Sequence, residues 1–183
     1  MTERAGLLSE MLKYNCLIVI GILFFTLSTL GIARPLDEAP MNIQAALLVK
    51  LLGFNESVNQ GGDLVVYVVA APKFGKTMKP AIGRSIGASK LADVVILETV
   101  PNVAPSGPAV LYVGQLEQVE PCLKYCREHQ ILSITGAPGI MDKGVALRIG
   151  VEQKKPAVLL STTLSKKEGV QWNSQVFSIA SDE

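Results

Sequence analysis

The sequence predicts an α/β fold, a mixed and mostly parallel sheet with helices on both faces, preceded by an N-terminal signal peptide. Three observations predict it. An almost unbroken apolar run from Leu17 to Ala33 follows Lys13 and ends in Gly31-Ile32-Ala33. Downstream, short β-branched apolar runs recur with helically spaced segments between them. Near the end, two such runs flank a polar turn, the pattern of an antiparallel hairpin.

The first run has the parts an export machinery needs: a positive start, an apolar stretch that enters the translocon as a helix, and a small-x-small cleavage site. Met11 is the candidate true start, because Met11-Leu12-Lys13 gives a positive n-region free of Glu3 and Glu10. Cleavage after Ala33 makes residues 1–33 the leader and 34–183 a single mature domain, long enough for a genuine core. The competing reading is an uncleaved anchor, since the run sits at the lower edge of the roughly 18 apolar residues that span a bilayer. A lipoprotein needs its cysteine at the end of the run, whereas Cys16 lies at its beginning. Export removes the chain from most chemistry fuelled by ATP, NAD or CoA.

Seventeen basic and sixteen acidic residues leave a net charge of +1, so no electrostatic footprint for nucleic acid is present. Lys73, Lys76, Lys79, Lys154 and Lys155 read as solvated positions.

After the leader, Ile43 to Phe54 has helical spacing, with Ile43, Ala46, Leu47, Leu51 and Phe54 on one side and Gly53 as a stop. Asn59-Gln60-Gly61-Gly62-Asp63 is a turn, and Leu64 to Ala70 is a strand buried on both faces. Ala92 to Leu97 is a second such strand and Val110 to Val113 a third. Leu116 to His129 is a helix with Leu116, Val119, Leu123 and Cys126 on one face, and Ile131 to Thr135 is a fourth strand. This order implies parallel crossovers with helices on the sheet. Val145 to Val151 and Ala157 to Leu160 form the hairpin, with Glu152 to Pro156 as a longer turn. Thr162 to Lys167 and Val170 to Ala180 close the domain as short helices, the latter offering Trp172, Val176 and Phe177 as contacts.

Ala70-Ala71-Pro72-Lys73-Phe74-Gly75-Lys76-Thr77 fits a relaxed P-loop pattern after a buried strand. It is poorly built for phosphate. Pro72 lacks an N–H in the loop that must donate them, a single Gly is present, and Pro80 interrupts the following helix. A nucleotide-binding role for Lys76 is therefore the remote alternative. His129, the one histidine, suits a helix C-terminus, where an imidazolium meets the terminal carbonyls. No metal-ligand cluster stands out in the sequence. For Cys122 and Cys126 two readings stand: a disulfide, as an exported pair invites, or two thiols on one helix, favoured because i,i+4 Cβ atoms lie about 5–6 Å apart and a relaxed bridge wants about 3.5–4.5 Å.

Val110-Leu111-Tyr112-Val113, the helix to His129, Ile131 to Thr135, Gly144-Val145-Ala146-Leu147-Arg148-Ile149 and the strand from Lys155 to Ser161 together resemble the C-terminal two thirds of YfiR-like proteins, a group that includes HmsC. The helix Asn42 to Phe54 and the strand Leu64 to Ala70 match its N-terminal part more loosely. The resemblance implies a periplasmic α/β domain, often a homodimer, that binds the periplasmic sensor domain of a membrane diguanylate cyclase and holds it inactive, with cyclic di-GMP and biofilm formation downstream. The chain departs from the pattern where Phe54-Asn55-Glu56-Ser57 replaces an aromatic Trp-Pro segment, and Cys122 and Cys126 do not match the family's redox cysteines. No binding residue carries over. The expectation is thus an exported regulatory binding protein without cofactor or catalysis. The alternative is a periplasmic small-molecule or envelope-binding domain with no cyclase partner.

Overall fold

The computed structural model describes residues 36–182. The leader expectation, including its cleavage and the choice of initiator, lies outside them. Among the described residues nine strands form one sheet: β1 Asp37–Glu38, β2 Gly62–Val69, β3 Ser85–Ile86, β4 Ser89–Leu97, β5 Ala109–Val113, β6 Leu132–Thr135, β7 Leu147–Glu152, β8 Lys155–Leu160 and β9 Ser181–Asp182. The spatial order is β3-β4-β2-β5-β6-β7-β8-β9, with β1 paired to β7 beyond the end of β6. The five middle strands, β4 to β7 in that order, are mutually parallel, while β3 pairs antiparallel with β4, β8 and β1 pair antiparallel with β7, and β9 runs parallel to β8. The sheet is mixed and mostly parallel.

Alternation along the strands divides the interior into two cores. Leu64, Val66 and Val68 of β2, Val110 and Tyr112 of β5, and Leu132 and Ile134 of β6 face the first. Helices α1 (Met41–Leu52) and α2 (Pro72–Met78) cover it, together with the C-terminal segment that carries Val170 and Val176. Leu111 and Val113 face the second, covered by α3 (Val119–His129) through Val119, Cys122, Leu123 and Cys126. β5 is buried at all five positions because it has strands on both sides and helices on both faces.

Several elements differ from the sequence expectation for identifiable reasons. Ala92 to Leu97 is not a strand buried on both faces. It belongs to β4, whose outer side meets only the two-residue β3, so Ala92, Val95, Ile96 and Leu97 stay half-buried. Ala92 is the extra residue of a bulge where Leu64↔Leu91 gives way to Val65↔Asp93. On α1 the buried set is Gln44, Ala45, Leu48, Leu51 and Leu52, while Ala46 is exposed, because a polar side chain, Gln44, is drawn inward. Leu116 lies in a 3-10 turn ahead of α3 and is 53% exposed. The β7–β8 turn is tighter than expected: Gln153 and Lys154 both take positive φ (50° and 66°) and close a two-residue hairpin whose twist suits the strands. Thr162–Lys167 does form a helix, α4, capped by the Ser161 hydroxyl, but Val170 to Ala180 contains only a 3-10 turn at Ser174–Ser178. Val176 is buried there and Phe177 is 48% exposed.

Candidate functional site

Two chain reversals create a crevice at the carboxyl ends of the parallel strands. After β2 the chain enters α2 on the first face, and after β5 it passes to α3 on the second, so the connections diverge between these neighbouring strands. Open α/β sheets bind ligands at such switch points. A cavity of about 240 Å³ lies there, lined among others by Glu38, Met41, Ala71, Lys73, Tyr112 and Gln115.

The crevice depends on unusual backbone. Ala70, directly after β2, has φ of +54°, a left-handed conformation that non-glycine residues seldom adopt. Gly114, directly after β5, passes so close that a Cβ would come within 2.4 Å of the Ala71 Cβ and 2.7 Å of the Ala70 carbonyl oxygen. Only glycine permits this approach.

A buried polar network supports the floor. The Tyr112 hydroxyl donates to Gln44 Oε1 at 2.8 Å and accepts from the Gly136 N–H at 3.1 Å, while Gln44 Nε2 donates to the Ala39 carbonyl at 2.7 Å. Thr135 Oγ1 donates to the Val113 carbonyl and accepts from the Ala137 N–H. Tyr112 also stacks on Phe74, with ring centroids 3.8 Å apart and planes at 18°. Burial pushes the Tyr112 phenol well above its ordinary range, an effect the Gly136 N–H reduces and the Glu38 charge increases. The tyrosine is a neutral structural element that ties α1, α2 and the end of β6 to β5. The exposed residues at the crevice are Glu38, Pro72, Lys73 and Gln115.

The P-loop-like segment takes a different form from a phosphate loop. Pro72 is the first helical residue of α2, so Phe74, Gly75 and Lys76 are helical, and Thr77 Oγ1 donates to the Lys73 carbonyl. Gly75 instead lets α2 approach β4: a Cβ there would meet Ile96 Cγ1 at 2.5 Å. Cys122 and Cys126 are free and both buried on α3. An unbroken helix keeps i,i+4 side chains too far apart for a relaxed bridge. Burial pushes the Cys122 thiol up to about 12 and the Cys126 thiol well above its usual value, so both are held as inert thiols. His129 closes α3 and packs edge-on against Tyr125, ring centroids 4.3 Å apart. Among the described residues, no three His, Cys, Asp or Glu side chains are grouped to hold a metal, and no helix is long and apolar enough to cross a membrane.

One buried acid escaped the sequence reading. Glu168, 1% exposed at the end of α4, accepts from the Ser133 N–H at 2.8 Å and the Ser133 hydroxyl at 2.6 Å. Ser133 Oγ in turn accepts from the Ala146 N–H. Burial raises the Glu168 carboxyl to about 7, against the opposing pull of the Ser133 hydrogen bonds and the Arg127 charge. Gln44 had a legible signal, a polar residue within an apolar helix, whereas Glu168 follows Lys166-Lys167 in a stretch that reads as solvent-facing.

Among solved structures, the chain is similar to a conserved domain protein from Vibrio cholerae O1 biovar El Tor strain N16961, at 10% identity and a TM-score of 0.49. The similarity covers 80% of this chain, which spans 60% of that one. No protein of curated function matches. A family model described as YfiR/HmsC-like matches residues 41–181, from the start of α1 to β9, and so takes in every element that builds the crevice except β1. The chain belongs to the YfiR/HmsC-like family.

Proposed function

We propose that this protein is an exported regulator that represses a membrane diguanylate cyclase by contact with its periplasmic sensor domain, lowering cyclic di-GMP. The observation that carries the reading is the family match over residues 41–181. The apolar run Leu17 to Ala33 with its small-x-small ending supports export. A binding protein represses a two-state partner only through its differential affinity for the inactive form, and a preference of about 2–3 kcal/mol changes activity about 30- to 150-fold. The protein acts by binding rather than by catalysis.

Deletion of the gene is expected to raise cellular cyclic di-GMP, and re-expression with the leader, but not without it, to restore the level. Unchanged cyclic di-GMP in the deletion strain across several growth conditions refutes the reading. The mature protein is expected to begin at Arg34 by mass spectrometry, whereas an intact leader in the membrane fraction would establish an anchor. A second reading, a periplasmic small-molecule binder without a cyclase partner, is favoured by the switch-point cavity. It predicts no cyclic di-GMP phenotype and a ligand affinity that Gly114→Val abolishes.

A further inference from the structure

Among the described residues, helices cover the second face of the sheet over only part of its width. A parallel sheet ordinarily carries helices on both faces. Here α3 covers β5 and β6, but the crossover from β4 to β5, residues 98–108, contains no helix and is broken by Pro101, Pro105 and Pro108. The loop is held where the Tyr125 hydroxyl donates to the Val103 carbonyl at 2.7 Å, where the Pro108 carbonyl accepts from the Val65 N–H at 3.0 Å and where Val100 packs at the margin of the second core, yet it leaves the Val103 side chain 71% exposed. Beneath it, Tyr67 of β2 and its register partner Val95 of β4 remain half-buried, as does Leu97. Tyr67 and Leu97 sit at the margin of the second core.

The surrounding chemistry narrows what can cover these residues. Asp93, the register partner of Val65 on this face, and Glu98, at the end of β4, are exposed carboxylates. Asp63 also lies here, but its register partner is Lys90, so that pair cancels. An added strand along the open edge of β4 is disfavoured, because the Val94 N–H is already taken by Asp93 Oδ1 at 2.7 Å. A helix lying on the face needs no such hydrogen bond.

We propose that the half of the second face that no described helix covers, where Val103 stands exposed over the half-buried Tyr67, Val95 and Leu97 beside Asp93 and Glu98, is the surface on which the regulated partner docks an amphipathic helix with an apolar stripe flanked by Lys or Arg. This assignment rests on the regulatory reading above. The partner helix supplies the helix that the β4–β5 crossover lacks, packing on the exposed Val103, and its cations meet the two carboxylates.

The test measures binding of the mature protein to the purified periplasmic sensor domains of the membrane diguanylate cyclases from the same cell. Asp93→Lys/Glu98→Lys and Val103→Asp alter exposed positions, and circular dichroism verifies their folding. The control, Lys154→Glu/Lys155→Glu, lies on the β7–β8 hairpin. Each face variant is expected to weaken binding about tenfold or more, the control to leave it unchanged, and added salt to weaken the parent more than Asp93→Lys/Glu98→Lys. If the parent binds a sensor domain and the face variants bind it equally well, the surface assignment is overturned while the regulatory reading stands. If the parent binds none of the domains, both are overturned. A parent dimer in sedimentation that the face variants dissociate would place a second copy on this face and overturn the assignment to a partner helix.

Discussion

Glu168 makes the stability of this protein depend on pH in the direction opposite to most paired carboxylates. Its carboxyl is raised from 4.5 to about 7, chiefly by burial. The folded state therefore holds its proton more tightly than the unfolded chain does. The associated stability is fully present below about pH 4.5 and is lost as pH rises through about 7. At about 1.36 kcal/mol per pKa unit, the loss is on the order of 3 kcal/mol, a substantial part of the ~5–15 kcal/mol that holds a domain together. The raised cysteine and tyrosine groups titrate above this window and do not obscure it. Glu168→Gln keeps an acceptor for the Ser133 N–H without a charge. Urea unfolding of the mature protein at pH 5 and pH 8 should show the variant within about 1 kcal/mol of the parent at pH 5, and more stable than the parent at pH 8 by up to roughly 3 kcal/mol. Equal pH dependence in parent and variant would refute the reasoning, because the pH-dependent loss would then come from other groups.

Three further substitutions test the framework of the crevice and core. Tyr112→Phe leaves Gln44 Oε1 and the Gly136 N–H without their buried partner and should cost about 1–3 kcal/mol in denaturant unfolding; an unchanged midpoint would mean the network contributes nothing. Gly114→Val forces a side chain against Ala71 and the Ala70 carbonyl, and a fall in stability of about 1–3 kcal/mol in thermal melts is expected. Val66→Asp places an unpaired carboxylate at a fully buried position on a strand paired on both sides, a penalty of at least ~3 kcal/mol. Its circular dichroism should show little native structure, while Ile96→Asp on the half-buried edge strand should be less damaging.

Local pattern was enough for the type of the main strands and helices, though not for Val170 to Ala180, which holds only a 3-10 turn. A run such as Val110 to Val113, too short for a helix and rich in β-branched residues, reads as a strand, and the spacing of Val119, Leu123 and Cys126 reads as a helix face. The succession of those elements was also enough to point to the family that matches residues 41–181. Local pattern could not say which strands lie at an edge. Ala92 to Leu97 and Val110 to Val113 look alike in sequence, yet the first is half-exposed and the second is buried throughout, because burial depends on where the chain inserts each strand and by which route it crosses the sheet. The network at the crevice was hidden for the same reason. Tyr112 and Gln44 are 68 residues apart and Glu168 and Ser133 are 35 apart, so no periodicity links them. Apolar periodicity is a one-dimensional consequence of helix and strand geometry; the pairing of buried polar groups and the coverage of a sheet face are settled only when the tertiary structure brings distant segments together.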